Sequence, residues 1–289
     1  MFLAVDNHVI RKTYGEEGAF RLLKETGFPA VDYSFHEWPA EDPLFSGDAL
    51  SYAKRIRSMM DACGIVCRQC HAPLDFVIGE QPDESSENYR MIVQSIRSAA
   101  VFGADHIAVH SIYSPTVTKE EEWRENIRFF RSLLPYCEET GVKIAIENLP
   151  VQASDTPEEV NRMLLELDSP WFGALLDTGH AAISGITPDD YVRRLTPGTL
   201  LGLHIQDMYE KKDKHWIPYM GEIDWDAFLG ALSETGYTGD FSLEIIHFME
   251  RVPEALLPEA HRYAAAVGKY LQEEFLQKEG QKESKLWNL

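Results

Sequence analysis

Basic residues are scarce in this chain. Lys and Arg number 27 against 47 Asp and Glu, a formal charge of −20. Proteins that grip phosphate backbones carry a basic patch that neutralises them. The densest basic cluster here, EKKDK from Glu210 to Lys214, is interrupted by acids. The charge therefore argues against a nucleic-acid partner, although bound cations would reverse the local sign. Long apolar runs are missing too: none reaches the roughly 18–20 residues of a membrane span. Met1 leads straight into FLAVDN, without the basic stretch and cleavage site of a secretion signal. The expected location is the cytoplasm, with no membrane partner.

Cysteine is sparse as well, with only Cys63, Cys67, Cys70 and Cys137. CRQC has C-x-x-C spacing, but redox pairs of that kind sit at a helix N-terminus. This one lies in IVCRQCHAP, which reads as a strand. Residues three apart on a regular strand face opposite sides, so the two thiols should not meet. No second close pair exists to complete a four-cysteine zinc site. All four cysteines are expected to be buried packing residues.

Apolar, strand-like runs recur at even spacing. They are FLAVD (2–6), AVDYSF (30–35), IVCRQCH (65–71), HIAVHS (106–111), KIAIEN (143–148), FGALLD (172–177), LLGLHI (200–205) and DFSLEI (240–245). Helical patterns separate them, such as DALSYAKRIRSMMDACG and ENYRMIVQSIRSAAVFGA, with apolar residues three and four apart and a closing Gly. In TPEEVNRMLLELDSP, Thr156 is an N-cap with Pro157 at the first helical position and Glu159 at the third. Strand–helix alternation implies a parallel sheet, and eight repeats point to one closed (β/α)8 barrel, a TIM barrel. An open doubly wound sheet would show a Gly-rich phosphate loop after its first strand, and VDNHVIRKTYG is not one. Residues 1–289 are expected to be a single domain, with a final helix from about Pro258 and a loose charged tail over 279–289.

The active site of such a barrel lies at the C-terminal ends of its strands. Those ends carry Asn7 and His8, then Ser34, His36 and Glu37, then His71, His110, Glu147 with Asn148, Asp177 with His180, His204 with Asp207, Asp213 and His215, and Glu244. Each alone has an ordinary explanation: Asp177 could cap a helix, and a single His is often a satisfied polar residue. Six consecutive strands ending in His, His, Glu, Asp, His and Glu are harder to explain by capping. Burying so many ionisable groups is costly unless they pair or bind a cation. Carboxylates with imidazoles favour Mn²⁺, Zn²⁺ or Fe²⁺. Trp38, Trp216 and Tyr219 lie in strand-end loops, where they could pack on a sugar ring or simply cover the barrel mouth.

IAIENL, LLDTGHA, LHIQD, HWIPYMGEIDW and SLEI, in that order, resemble the xylose isomerase-like barrel superfamily. That group contains sugar isomerases and epimerases, dehydratases of keto-inositols, and endonuclease IV. The epimerase branch implies one divalent metal, Mn²⁺ foremost with Zn²⁺, Co²⁺ or Fe²⁺ as alternatives, held by Glu147, Asp177, His204 and Glu244. No organic cofactor is implied. Glu147 and Glu244 would also serve as acid and base, and His180 would contact substrate hydroxyls. His71, His110, Asp207, His215, Trp38 and Trp216 are the further substrate-contact candidates. The implied reaction is isomerisation or epimerisation of a small carbohydrate by proton transfer through a metal-bound enediolate. Two alternatives stay open. One is a lyase or dehydratase on a keto-sugar, keto-inositol or oxidised glycoside. The other is an endonuclease IV-like multi-zinc phosphodiester hydrolase, whose extra ligands would match His71, His110, His180, Asp213 and His215. One departure is visible: the epimerases place an Arg after the strand-seven Asp, whereas no Arg lies between Arg194 and Arg251 here. The resemblance also implies a homodimer or homotetramer.

Overall fold

The computed structural model describes residues 1–74 and 76–286. Seven parallel strands come first: β1 (Leu3–Asp6), β2 (Ala30–Ser34), β3 (Val66–His71), β4 (His106–Val109), β5 (Lys143–Glu147), β6 (Phe172–Asp177) and β7 (Leu200–His204). A short antiparallel hairpin, β8 (Asp207–Tyr209) and β9 (Lys212–Trp216), precedes the eighth barrel strand, β10 (Phe241–Leu243). The sheet order is β10-β1-β2-β3-β4-β5-β6-β7, all parallel. The ring closes through Ile205. Its N–H donates to the Ser242 carbonyl at 2.7 Å, and its own carbonyl accepts from Glu244 N–H at 3.1 Å. The expected barrel is therefore present, and every strand lies inside the run that predicted it. The hairpin was not foreseen.

The helices are α1 (His8–Thr26), α2 (Ala49–Cys63), α3 (Glu87–Phe102), α4 (Lys119–Thr140), α5 (Pro157–Leu167), α6 (Thr178–Ile183), α7 (Pro188–Arg194), α8 (Trp225–Thr235), α9 (Ile246–Met249) and α10 (Leu257–Leu286). Their ends follow local chemistry. Thr156 Oγ1 accepts from Glu159 N–H at 3.2 Å while the Glu159 carboxylate accepts from Thr156 N–H at 2.9 Å, a reciprocal cap. Thr118 and Glu121 repeat the arrangement at the start of α4. The last helix continues to Leu286, through most of the stretch expected to be a loose tail. No helix among the described residues is long and apolar enough to cross a membrane.

Alternate residues of each strand face opposite sides. Leu3, Val5, Val31, Tyr33, Ile107, Val109, Ile144 and Ile146 belong to the main core between ring and helices. The ring interior is different. Among the described residues its apolar cluster is small, Ala108, Ala145 and Leu175 with Leu201 packed against them. Polar pairs fill the rest: Asp32 accepts from Gln69 Nε2 and from Ser242 Oγ at 2.8 Å, and Gln69 Oε1 lies 2.8 Å from His106 Nε2. Gly202 makes this pairing fit, since a Cβ there would lie 2.3 Å from Gln69 Oε1 and 2.4 Å from His106 Nε2.

The thiol expectation is corrected. Cys67 and Cys70 do meet, with sulfurs 3.5 Å apart. Val31 pairs with Cys67 but Asp32 pairs with Gln69, so Arg68 is an inserted bulge residue. The extra residue breaks the alternation and turns both cysteines outward into the helix-facing core. Both are fully buried, whereas Cys63 is half-buried. A thiol reagent added to the native protein should therefore modify Cys63 alone, and all four cysteines only after unfolding. Rapid native labelling of Cys67 or Cys70, read by peptide mass spectrometry, would show that this packing is wrong.

Candidate active site

Each strand delivers its ionisable residue at its C-terminal end or just beyond it, and the ring brings these ends together. Glu147, the last residue of β5, lies at the centre and has no solvent exposure. Four imidazoles surround its carboxylate. His110 Nε2 is 3.0 Å and His71 Nε2 3.4 Å from Oε2. His204 Nδ1 is 3.1 Å and His180 Nδ1 3.4 Å from Oε1. Glu244, just past β10, places Oε2 3.5 Å from both His204 Nδ1 and His215 Nδ1. Asp213 bridges two rings, at 3.4 Å from His180 Nε2 and 3.1 Å from His215 Nε2.

Burial sets the electrostatics. Burial alone would raise the Glu147 carboxyl; the imidazoles of His204 and His110 overcome it and hold this group well below the usual carboxylate range. Glu244 is pushed up to about 7 by burial, against the pull of His204 and His215, with Glu147 and Asp177 adding repulsion. His215 rises to about 9: burial opposes protonation, but Glu244 and Asp213 outweigh it. The two glutamates thus occupy different electrostatic settings only one imidazole apart.

Among the described residues, three groups of side chains could hold a metal ion. One is His71, Glu147, His204 and Glu244; another is Glu147, Asp177 and His180; the third is His180, Asp213 and His215. Within each group the donor atoms lie within 4.8 Å of one another. The expected quartet is thus divided. Glu147, His204 and Glu244 come together with His71, while Asp177 joins Glu147 and His180. Asp177 also caps α6, accepting from His180 N–H at 2.6 Å. The donor set fits a divalent transition metal. It mixes buried carboxylates with imidazoles, and Glu244 Oε2 is buried without a hydrogen-bond partner. His71, His180 and His215 each place Nδ1 against a backbone carbonyl, of Ala72 at 2.8 Å, Asn148 at 3.0 Å and Glu244 at 3.0 Å. That contact orients a ring and leaves Nε2 free as a ligand.

The groups rim a cavity of about 210 Å³. His71, His110, Glu147, His180, Asp213, His215 and Glu244 line it, as do His8, His36, Glu37, His247 and Glu250. Three expected contacts lie elsewhere. Trp38 is stacked on the Arg11 guanidinium, 3.6 Å from its ring centre. Trp216 packs towards Phe248. Asp207 is spent on the loop after β9. Its oxygens accept from the N–H groups of Met208, Tyr219, Gly221 and Ile223 and from Trp225 Nε1, at 2.9 to 3.2 Å. With every lone pair engaged, this carboxylate cannot also bind substrate. Gly221 is required by the same wrapping, because a Cβ there would lie 2.2 Å from Asp207 Oδ1.

Other residues escaped sequence reasoning. Asp32, fully buried, places Oδ2 3.3 Å from His204 Nε2 and so supports the ring that faces Glu147 and Glu244. Its signal was a charge in the middle of an apolar strand, AVDYS. Gln206 donates to Asp177 at 3.2 Å and to Asp213 at 3.1 Å, joining two of the groups. His247 lies in α9 and Glu250 caps its C-terminal end; this short helix was not foreseen.

A model of the family described as xylose isomerase-like TIM barrel matches residues 20–267. The chain belongs to that family. An uncharacterized protein, y4fM, of Sinorhizobium fredii is 29% identical over 162 residues, covering 53% of this chain and 51% of that protein. The inosose dehydratase of Clostridium tetani is 25% identical over 171 residues, covering 53% of this chain and 55% of the dehydratase. The chain spans about half the length of these curated relatives. Among solved structures, an L-ribulose 3-epimerase superposes with a TM-score of 0.75 at 17% identity, covering 99% of this chain and 97% of that one. At that identity the likeness is one of fold.

The commitment of Asp207 has a measurable consequence. Asp207→Asn replaces one acceptor oxygen by a donor facing N–H groups. It should cost on the order of 3 kcal/mol, lowering Tm by several degrees in a thermal melt, and a substrate-contact role alone would leave Tm unchanged.

Proposed function

We propose that this protein is a metal-dependent isomerase or epimerase of a small carbohydrate, with Glu147 and Glu244 exchanging a proton at the carbon beside a carbonyl. One observation carries the reading. Two buried carboxylates, from strands three apart in the ring, converge on His204 Nδ1, at 3.1 and 3.5 Å, on one small cavity. The C–H bond of an α-hydroxy ketone is weakly acidic. One glutamate takes that proton as the carbon's electron pair moves into the carbonyl, giving an enediolate. The other glutamate donates a proton to the opposite face for epimerisation, or to the neighbouring carbon for isomerisation, in which the proton of the adjacent hydroxyl also passes to the former carbonyl oxygen. Glu147, His204 and Glu244, with Asp177 from the adjoining group, would hold the metal, which supplies Lewis-acid polarisation of the substrate oxygens when bound. His180, oriented by the Asn148 carbonyl, would position a substrate hydroxyl. The likeness in fold to an L-ribulose 3-epimerase and a D-psicose 3-epimerase supports the reading. The inosose dehydratase relative supports the variant in which the enediolate expels a leaving group β to the carbonyl.

A second reading rests on a different observation. His180 and His215 are pre-oriented as ligands outside the His204 group, and His71 is pre-oriented within it. Together with His110 and Asp213 they would suit further zinc ions and phosphodiester hydrolysis. The net charge of −20 disfavours a nucleic-acid substrate.

Two measurements separate the readings. On protein purified without chelator, inductively coupled plasma mass spectrometry should find about one Mn, Fe, Co or Zn per chain; two or more zinc ions would favour the hydrolase. In D₂O, a panel of ketoses should acquire deuterium beside the carbonyl. Glu147→Gln or Glu244→Gln should slow that exchange by about 10²–10⁴-fold. Absence of exchange with every ketose, alongside cleavage of a phosphodiester, would overturn the isomerase reading.

A further inference from the structure

The mechanism leaves one side of the cavity unused. His8, His36 and Glu37 line it from the β1 and β2 ends. Glu37 Oε2 lies 3.4 Å from His8 Nε2, and its Oε1 lies 3.7 Å from His36 Nε2. Both distances exceed a good hydrogen bond, so the carboxylate sits between two imidazoles without being satisfied by either. His8 is 2% exposed, and its Nδ1 has no hydrogen-bond partner. The cluster adjoins the candidate catalytic groups, since the His36 and His71 rings are 6.4 Å apart.

The backbone makes the position deliberate. Glu37 has φ 57°, in the left-handed region that side chains other than Gly, Asn and Asp rarely adopt. Such strain persists where the surroundings over-determine it, and here they do. Arg11, buried and bound to Glu16 at 2.6 Å, reaches Asp42 at 3.2 Å and carries Trp38 on its guanidinium face. Asp42 in turn accepts from Leu44 N–H at 2.9 Å. Trp38 and Asp42 lie on the chain side of Glu37 that leads into α2. Arg11 therefore pins the loop that presents His36 and Glu37.

The charge of the lining decides what this group would take. Five carboxylates, Glu37, Glu147, Asp213, Glu244 and Glu250, face the cavity, and no Lys or Arg is among the described lining residues. At this end of the cavity a phosphate or carboxylate group of a substrate would lie close to Glu37, with no Lys or Arg among the described lining residues to pair with it. Specificity of this kind comes from an unpaired charge set against the wrong ligand. A carboxylate with two free oxygens, by contrast, accepts from both hydroxyls of a vicinal diol, and each flanking imidazole offers a donor or an acceptor.

We propose that His8, His36 and Glu37 form a recognition subsite for a vicinal diol of a neutral polyol substrate, and that the same residues turn away its phosphorylated or carboxylated counterparts. The proposal rests on the carbohydrate reading above and adds the substrate's charge and the residues that select it. Glu37 is half exposed, so Glu37→Gln should leave the fold intact, which a thermal melt checks.

The test uses full-length, Mn²⁺-loaded protein in isothermal titration calorimetry with neutral ketohexoses, ketopentoses and inositols, each beside its monophosphate. At least one neutral compound should bind, its phosphate more than tenfold more weakly. Glu37→Gln and His8→Ala should weaken the neutral compound more than tenfold, with KM rising further than kcat falls. Binding of a phosphate as tight as that of its neutral parent, unchanged binding in Glu37→Gln, or no binding by any neutral compound would each overturn the subsite. Deuterium exchange keeps the two claims apart. Glu37-dependent binding without exchange would sink the isomerase reading and spare the subsite, while exchange with an unaltered KM in Glu37→Gln would do the reverse.

Discussion

The carboxylate of Glu147 is the point on which the candidate site depends. It is fully buried, yet it is held in the ionised form by imidazoles from four different strand ends. An isolated charge in that position would be prohibitively costly. Removing any one imidazole would leave part of that cost uncompensated. The same arrangement ties the positions of His71, His110, His180 and His204 to one another. The geometry of the mouth is therefore a shared solution to one solvation problem, and each strand end contributes to it.

The polar ring interior extends this solution below the mouth. His204 faces the two glutamates with Nδ1 and Asp32 with Nε2. Asp32 Oδ2 in turn accepts from Gln69 and Ser242. A barrel core is ordinarily packed with branched apolar side chains. Here, among the described residues, Ala108, Ala145 and Leu175 form a small apolar group with Leu201 against it, and the polar pairs around Asp32 hold the His204 ring in place. The apolar contribution to stability falls instead to the layer between ring and helices, where Cys67 and Cys70 also lie.

Loops complete the site through separate anchors. Asp207 gathers the segment after β9 by five hydrogen bonds, and Arg11 fixes the loop after β2 through Asp42 and Trp38. Neither anchor faces the cavity. Each keeps a flexible connection in one conformation, so that Asp213 and His215 on one side and His36 and Glu37 on the other meet the same space. That division of labour explains why two tryptophans and an aspartate that looked like substrate contacts serve the loops instead.

The apolar runs and helical patterns of the sequence were enough to determine the eight strands, their order along the chain and the barrel, because burial on both faces leaves apolar runs that suit a parallel ring. The residues at the strand ends were legible for the same reason: their positions in the chain set their height in the barrel. Which of them share a centre was not legible. The grouping of Asp177 with His180, and of His71 with Glu147, His204 and Glu244, depends on side-chain directions around a closed ring. The meeting of Cys67 and Cys70 depended on a bulge at Arg68 that no local pattern announces, because the extra residue is defined only by what the neighbouring strand pairs with. Asp207 and Glu37 likewise took their roles from hydrogen bonds and loop anchors between residues distant in sequence, which only the tertiary structure brings into contact.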